Sequence, residues 1–295
     1  MMKKYAWMLL RLLLSLGLVG WVLAKIDWTL LAAVVQQLHY GWLMVALLLF
    51  NVSRLIAAQR LYWFFCAVGL RISTELNLKL YYLGLWYNVL LPGGITGDGY
   101  KVYWLRKYYP VSAWDLAHAT FFDRISGLFA LLLLLLLALR QAVVMTPGFQ
   151  MLLVVAMLAM PALAYVLHYV LGRRFLSLWV QSSLLAILMQ LFQVFTVGCL
   201  LWSLREFAHL DRYIVVFLLS SMVAVLPLTI GGLGAREFTF VYLQPWLGYD
   251  LQTGVVLSML FYLLGLVSAM LGIFFQDLQP DYRLQQDDDL IIDTE

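Results

Sequence analysis

Two Gly- and Pro-containing segments in this apolar sequence are followed closely by charged residues. Residues 91–105 read Leu-Pro-Gly-Gly-Ile-Thr-Gly-Asp-Gly-Tyr-Lys-Val-Tyr-Trp-Leu, and they include Asp98 and Lys101. Residues 226–243 read Leu-Pro-Leu-Thr-Ile-Gly-Gly-Leu-Gly-Ala-Arg-Glu-Phe-Thr-Phe-Val-Tyr-Leu, and they include Arg236 and Glu237. Pro and Gly interrupt helices, and a helix that restarts after a break points backbone amides at the space before it. Such amides, together with nearby cations, favour an anion such as phosphate.

The same two segments supply the residues that we expect to break the helices. They are Pro92, Gly93, Gly94, Gly97, Pro227, Gly231, Gly232 and Gly234. Because unpaired backbone groups cannot face lipid, each break is predicted to lie within protein or beside water. The two Gly-Gly pairs begin at residues 93 and 231, which are 138 residues apart. That spacing is typical of two structural repeats, and two turns at the membrane edge with interfacial charges are the alternative.

One basic residue also interrupts an apolar stretch in the first half. Arg54 follows Asn51 by three residues, so both lie on one helix face. An intramembrane arginine is costly and is by default a functional hypothesis: it would bind a lipid phosphate or pair with Glu237 or Asp98. The alternative is a side chain that reaches to the interface, since Arg60 indicates a nearby boundary.

Further polar residues fall at the start or within later apolar stretches. Asp123 and Arg124 open one of them, either as a self-neutralising interfacial pair or as a wall of a polar site. Gln190 and Gln193 lie one turn apart, where they would form interhelical hydrogen bonds or line a path for a headgroup.

The amino-acid composition indicates which type of structural element positions these side chains. Hydrophobic residues make up 64% of the 295 residues, charged residues make up 12%, and the mean hydropathy is +0.89. Soluble domains carry about a quarter charged residues, so a soluble fold is excluded. About 20 apolar residues span a bilayer. On that criterion we predict eight spans, near residues 5–24, 41–62, 78–92, 121–139, 148–170, 180–204, 213–230 and 251–275.

The predicted fold is an all-α integral membrane protein of about eight transmembrane helices, in two four-span repeats with broken or re-entrant segments. The membrane domain would comprise residues 1–275, with repeat halves at about 5–139 and 148–275, followed by an acidic solvated tail at 276–295. The net charge of +3 conceals this division. Residues 277–295 carry seven acidic side chains and one basic side chain, whereas residues 1–276 carry nine acidic and 18 basic side chains. A basic membrane domain favours anionic lipid as a partner and argues against nucleic acid.

Orientation follows from the positions of the basic residues. Lys3 and Lys4 predict a cytoplasmic N-terminus, and eight crossings would place the C-terminus on the same side. Lys101, Arg106 and Lys107 would then fall outside. Either residues 92–120 re-enter the membrane, or one weak span does not cross.

Four blocks of sequence resemble the lysylphosphatidylglycerol synthase/flippase transmembrane-region family, over roughly residues 5–275. They are Asn88-Val-Leu-Leu-Pro92, Gly97-Asp98-Gly99-Tyr100-Lys101, Asp123-Arg124-Ile-Ser-Gly127 and Leu226-Pro227 with Gly231-Gly232-Leu-Gly234-Ala-Arg236-Glu237. The family often has Arg where this chain has Lys101. A lysine can still contact a phosphate, but it lacks the planar fork of donors that an arginine presents. The resemblance implies a multi-pass protein of the bacterial inner membrane that moves phospholipid between leaflets. The soluble domain that makes the aminoacyl lipid is expected to be absent.

These patterns together predict a lipid translocase for an anionic phospholipid. Lys101, Arg236 and Arg54 would hold the phosphate, while Asp98 and Glu237 would balance their charge or contact a cationic headgroup. No complete catalytic motif, metal motif or nucleotide fingerprint occurs in the sequence, so we expect no enzyme and no cofactor. One alternative is a lipid-modifying enzyme, and another is a membrane scaffold for an envelope-biosynthesis enzyme. The complete set of predicted polar site residues is Arg54, Asn88, Asp98, Lys101, Asp123, Arg124, Arg236 and Glu237.

Overall fold

A computed structural model describes residues 36–90, 96–143, 145–225 and 234–281, together with Thr29. Within these ranges the chain forms nine α-helices and no β-strand, which confirms the all-α prediction. The helices are α1 Tyr40–Ala67, α2 Thr74–Leu90, α3 Thr96–Tyr108, α4 Ala113–Ala142, α5 Pro147–Leu171, α6 Trp179–Ser203, α7 Leu210–Val225, α8 Ala235–Leu247 and α9 Leu251–Met270. Two short 3₁₀ helices, Arg173–Leu178 and Leu271–Phe275, lie before α6 and after α9.

Five helical stretches in the described ranges are long and apolar enough to cross a membrane. They are Tyr40–Ala67, Ala113–Ala142, Pro147–Leu171, Arg173–Ser203 and Leu251–Phe275. The chain is therefore a multi-pass helical membrane protein, as predicted. The span expected near 5–24 lies outside the described residues. The total of eight spans remains a prediction, because α2 and α7 have 17 and 16 residues and each adjoins a segment that is not described.

Helix α4 begins earlier than hydropathy predicts, at Ala113 instead of near residue 121. Its N-terminus is fixed by Ser112, whose Oγ accepts a hydrogen bond from the Trp114 N–H at 3.2 Å. A serine cap of this kind satisfies one of the free amides of the first turn. The helix therefore runs through polar residues that an apolar window excludes, and Asp123 and Arg124 lie well inside it.

Two apolar clusters hold the bundle together, and α1 contributes to both. The first contains Phe50 with Phe217 and Phe261, and the second contains Leu61 with Phe122. Because α1 places Arg54 between Phe50 and Leu61, this arginine lies where the two clusters approach each other. By contrast, α5 is peripheral, and its side chains are largely exposed to the surroundings of the bundle.

The order of elements around the two Gly-rich segments is similar. In each case a helix of 16 or 17 residues leads into the segment, a 13-residue helix follows it, and a longer helix comes next. These are α2, α3 and α4 in the first half and α7, α8 and α9 in the second. The division into two four-span repeats stays a prediction.

The chain beyond α9 returns to the end of α3. The Tyr109 hydroxyl donates to the Asp281 carbonyl at 3.1 Å and accepts from the Asp281 N–H at 3.0 Å. Leu278 packs against the second apolar cluster. The predicted tail is therefore docked as far as Asp281, and residues 282–295 lie outside the described residues.

Candidate functional site

Six of the eight predicted polar residues line one cavity of about 260 Å³. They are Arg54, Asn88, Asp98, Lys101, Asp123 and Arg124. The wall also includes Arg60 and Gln190, so helices α1, α2, α3, α4 and α6 all contribute to it. This polar cavity contains four cationic side chains and two carboxylates.

A second cavity of about 160 Å³ adjoins the first, since Arg54, Leu85 and Asn88 line both. It contains Arg236 from α8, and the rest of its wall is mainly apolar and aromatic. We call it the arginine cavity. Glu237 is absent from both walls. Seven of the eight predicted side chains therefore meet around two adjoining spaces.

Asp98 is the centre of an ion-pair cluster in the polar cavity. Its Oδ1 lies 2.6 Å from Lys101 Nζ, one turn further along α3, and its Oδ2 accepts from Arg124 Nε on α4. Lys101 Nζ also lies 5.1 Å from the centroid of the Tyr81 ring. Asp98 lies in the first turn of α3, and this position brings it against α4. The carboxylate thus links the two helices and compensates two cations.

Arg60 forms the second ion pair of the polar cavity, with 2.7 Å between its Nε and Asp123 Oδ1. The arginine is only 4% exposed, so its side chain is buried within the protein. Gly127 makes room for it, because a Cβ there would lie 3.3 Å from Arg60 Nη2. Asp123 and Arg124 consequently pair with different partners, on α1 and α3, and the self-neutralising pair considered from the sequence does not form.

Asn88 holds the start of α3 against α2. Its Oδ1 accepts a hydrogen bond from the Gly97 N–H at 2.8 Å, and so caps the helix from outside. The helices approach so closely that a Cβ on Gly97 would lie 1.9 Å from the Gly84 carbonyl oxygen. Gly97 was predicted to break a helix, and in the structure it lies in the first turn of α3 and permits this approach.

Arg54 and Arg236 share an aromatic platform in the arginine cavity. The Arg54 guanidinium lies 4.3 Å from the centroid of Phe50, and that of Arg236 lies 5.2 Å from the centroid of Phe261. The two phenylalanine rings contact each other edge to face at 5.3 Å. Arg236 donates from Nη1 to Ser221 Oγ at 3.1 Å. Among the described residues neither arginine forms an ion pair, and Arg54 Nε is buried without a hydrogen-bond partner.

Glu237 uses both carboxylate oxygens within its own half of the molecule. Oε2 accepts from the Gly234 N–H at 2.8 Å, which caps α8, and Oε1 accepts from Ser258 Oγ on α9 at 2.8 Å. Gly234 has φ +81°, a value that side chains with a Cβ rarely adopt. Glu237 is therefore committed to internal contacts, and it is not the partner of Arg54.

The remaining predicted residues divide into those outside and those inside the described ranges. Pro92, Gly93, Gly94, Pro227, Gly231 and Gly232 lie outside them. Gln190 lines the polar cavity, with a buried Oε1 that has no hydrogen-bond partner among the described residues, while Gln193 is buried within α6. The described residues contain no group of three His, Cys, Asp or Glu side chains that could hold a metal ion.

Arg60 is the site residue that sequence reasoning missed. The available signal was helical spacing, because Ala57, Leu61 and Phe64 surround it on one face of α1 and all three are buried. A charged residue within such an apolar face indicates a buried ion pair. Its partner, however, lies 63 positions away in the sequence.

Comparison with known proteins gives one match. A sequence model described as the lysylphosphatidylglycerol synthase transmembrane region matches residues 8–272. No curated protein and no solved structure matches the chain. The matched range contains all five apolar helical stretches except the last few residues of the final one, and it contains both cavities. The chain therefore belongs to the family of lysylphosphatidylglycerol synthase transmembrane regions, as its sequence motifs indicated.

Proposed function

We propose that this protein moves an anionic phospholipid between the leaflets of the bacterial inner membrane, with its phosphate in the two adjoining cavities and its acyl chains in the lipid. The proposal places both termini in the cytoplasm. The lipid-related membrane family to which the chain belongs agrees with this activity. The observation that carries the proposal is the excess of positive charge inside an apolar bundle.

The excess of cationic over anionic side chains in the cavity walls supports an anion as the ligand. The walls of the two cavities contain five cationic side chains, of Arg54, Arg60, Lys101, Arg124 and Arg236, against the carboxylates of Asp98 and Asp123. Uncompensated charge in a low-dielectric interior is unstable, and it is retained mainly where it binds something. The surrounding membrane supplies phosphate groups in every phospholipid, so a lipid headgroup is the simplest counterion.

The carboxylates of the polar cavity favour binding over covalent chemistry. A general base needs a carboxylate within reach of a substrate proton. Asp98 is held by two cations and Asp123 by one, so both serve as fixed counter-charges. We therefore propose a transporter and not a lipid-modifying enzyme.

Reconstitution into vesicles tests the transport proposal. Acyl-labelled phosphatidylglycerol, phosphatidic acid and phosphatidylethanolamine would be placed in both leaflets, and dithionite would report the label that reaches the outside. We expect wild-type protein to accelerate exchange of the anionic lipids. Lys101→Gln should lose most of this activity, because it removes a buried cation of the site. Lys107→Gln is the matched control, since Lys107 lies on the same helix but is exposed.

Each competing function has its own outcome in this design. Exchange no faster than in empty vesicles, for every lipid and gradient tried, would refute translocation. A new covalent lipid product that depends on Asp98, detected by mass spectrometry of the vesicle lipids, would favour the enzyme. Unchanged cellular function after alanine substitution of the cavity cations, with co-purification of an envelope enzyme, would favour the scaffold.

A further inference from the structure

The two arginines of the arginine cavity differ from the other cations of the site because no carboxylate of the described residues contacts either of them. Lys101 and Arg124 contact Asp98, and Arg60 contacts Asp123. Arg54 and Arg236 form no ion pair among the described residues, and the carboxylate of Glu237 acts on Arg236 only at longer range. The neighbouring Gly/Pro-rich segments at 91–95 and 226–233 contain no Asp or Glu in the sequence.

The environment of these two side chains holds them in place without neutralising them. The edge-to-face pair of Phe50 and Phe261 supports one guanidinium on each ring. Cation–π contacts stabilise a cation only partly compared with a full negative charge. Both guanidiniums line the same cavity, so they repel each other until an anion lies between them. The cavity is therefore suited to an anion that can accept hydrogen bonds from both guanidiniums.

The wall of the arginine cavity also restricts the headgroup that can enter. It contains no acidic side chain. The nearest glutamate in sequence, Glu237, is occupied by Gly234 and Ser258, and the carboxylates of the adjoining cavity are ion-paired. A headgroup with an ammonium, such as a zwitterionic or aminoacylated lipid, would meet two like charges and no partner.

We infer that Arg54 and Arg236 together bind a lipid whose headgroup ends in a phosphate monoester. A monoester carries between one and two negative charges near pH 7 and three terminal oxygens, with a second pKa of about 6. A diester carries one charge and two free oxygens, so it cannot engage two guanidinium forks equally well. The apolar side chains of Leu85, Val89 and Leu266 line the same cavity and would contact the first carbons of the lipid. The inference rests on the proposed function only in taking the anion to be carried by a lipid.

Native mass spectrometry of the detergent-solubilised full-length protein tests this selectivity. The probes are dioleoyl phosphatidic acid, dioleoyl phosphatidylglycerol and dioleoyl phosphatidylethanolamine, which share acyl chains and differ in headgroup. We expect phosphatidic acid to bind at least about tenfold more tightly than the other two, since one additional charge-assisted hydrogen bond contributes that much. Lowering the pH from 7.5 to 5 should remove most of the preference over phosphatidylglycerol, because the monoester gains a proton and then carries the single negative charge of a diester.

Variants assign the preference to the two arginines. Arg54→Gln with Arg236→Gln should abolish it, and Arg106→Gln with Arg140→Gln, two exposed arginines, should leave it unchanged. If the double glutamine variant fails to fold, Arg54→Lys with Arg236→Lys keeps both charges but loses the guanidinium forks, and the preference should fall several-fold. Equal binding of the three lipids, or a preference that survives the loss of both arginines, would overturn the inference.

Two further measurements distinguish a lipid phosphate from free phosphate, and distinguish failure of this inference from failure of the proposed function. Inorganic phosphate at millimolar concentration should fail to displace phosphatidic acid, because it lacks the apolar part that the cavity contacts. Complete displacement would assign the site to free phosphate and overturn the lipid assignment. Selective binding of phosphatidic acid without exchange between leaflets would refute the proposed function and support this inference. Exchange between leaflets without a headgroup preference would support the proposed function and refute this inference.

Discussion

The two 13-residue helices that follow the Gly-rich segments place a carboxylate at the same position and use it differently. Asp98 is the third residue of α3 and Glu237 is the third residue of α8. Asp98 contacts cations from α3 and α4, so the charges around it are compensated. Glu237 caps its own helix and accepts from Ser258 on α9, and it forms no ion pair with the adjacent Arg236.

This difference divides the site into two regions with distinct roles. The cluster around Asp98 is a fixed ionic link that positions α3 against α4. The arginine cavity contains the two cations that no described carboxylate contacts. Under the proposed function, similar sequence motifs therefore form a structural element in one half and a binding element in the other.

Removal of the Asp98 charge should have the largest effect on stability. Asp98→Asn removes the carboxylate that contacts both Lys101 and Arg124, and we expect a loss of about 3 kcal/mol in the free energy of unfolding. Denaturant unfolding in mixed micelles would measure it. Asp115→Asn is the control, because its pair with Arg174 is largely exposed and should contribute below about 1 kcal/mol. Equal losses in the two variants would show that the Asp98 cluster is not a structural link.

Gly97→Ala should have the next largest effect, because it tests the close approach of α3 to α2. The new Cβ would lie 1.9 Å from the Gly84 carbonyl oxygen, so the helices must separate, at a cost of about 2 kcal/mol. Gly99→Ala on the same helix meets nothing within 4 Å and should be neutral or slightly stabilising. Thermal unfolding in detergent compares the two variants, and a tolerated Gly97→Ala would contradict the packing described here.

In the second half, Gly234→Ala should destabilise the protein through backbone conformation. The residue has φ +81°, and a side chain with a Cβ is strained there by about 1–2 kcal/mol. The same unfolding assay measures the loss. If Gly234→Ala is neutral while Gly97→Ala is not, the start of α8 must adjust more freely than that of α3.

Glu237→Gln should have the smallest effect of the four. The amide retains one carbonyl oxygen for the Gly234 N–H or for Ser258, so about one hydrogen bond is lost, or about 1 kcal/mol. Lipid exchange should be kept, because Glu237 lies in neither cavity wall. A loss of lipid exchange with unchanged stability would assign Glu237 to the binding site. The difference in role between Glu237 and Asp98 would then not hold.

Hydropathy predicted the helical class and most of the helices well. The span expected at 41–62 corresponds to Tyr40–Ala67, and that at 148–170 corresponds to Pro147–Leu171. Errors occurred where helices continue beyond the apolar stretch, as at Ala113, because helix formation depends on caps and hydrogen bonds as well as on lipid contact. The short helices α3 and α8 were indicated in the sequence only as helices that restart after a predicted break.

Sequence reasoning identified which charges matter but not how they pair. Asp123 and Arg124 are neighbours in sequence, yet successive residues on a helix point in different directions, and each contacts a different helix. Arg60 was missed because its partner Asp123 is distant in the sequence. The contacts of Glu237 with Gly234 and Ser258 were not predicted, because a capping contact depends on local geometry that composition does not reveal.

The position of the lipid phosphate tests the central claim most directly. Cryo-electron microscopy of the full-length protein with a bound antibody fragment, in nanodiscs that contain phosphatidic acid, would locate it. We predict a phosphate within hydrogen-bonding distance of both Arg54 and Arg236, with the Asp98 ion pairs to Lys101 and Arg124 intact. A phosphate bound instead by Lys101 and Arg124, with Asp98 displaced, or an empty arginine cavity beside lipid-filled membrane, would contradict this account.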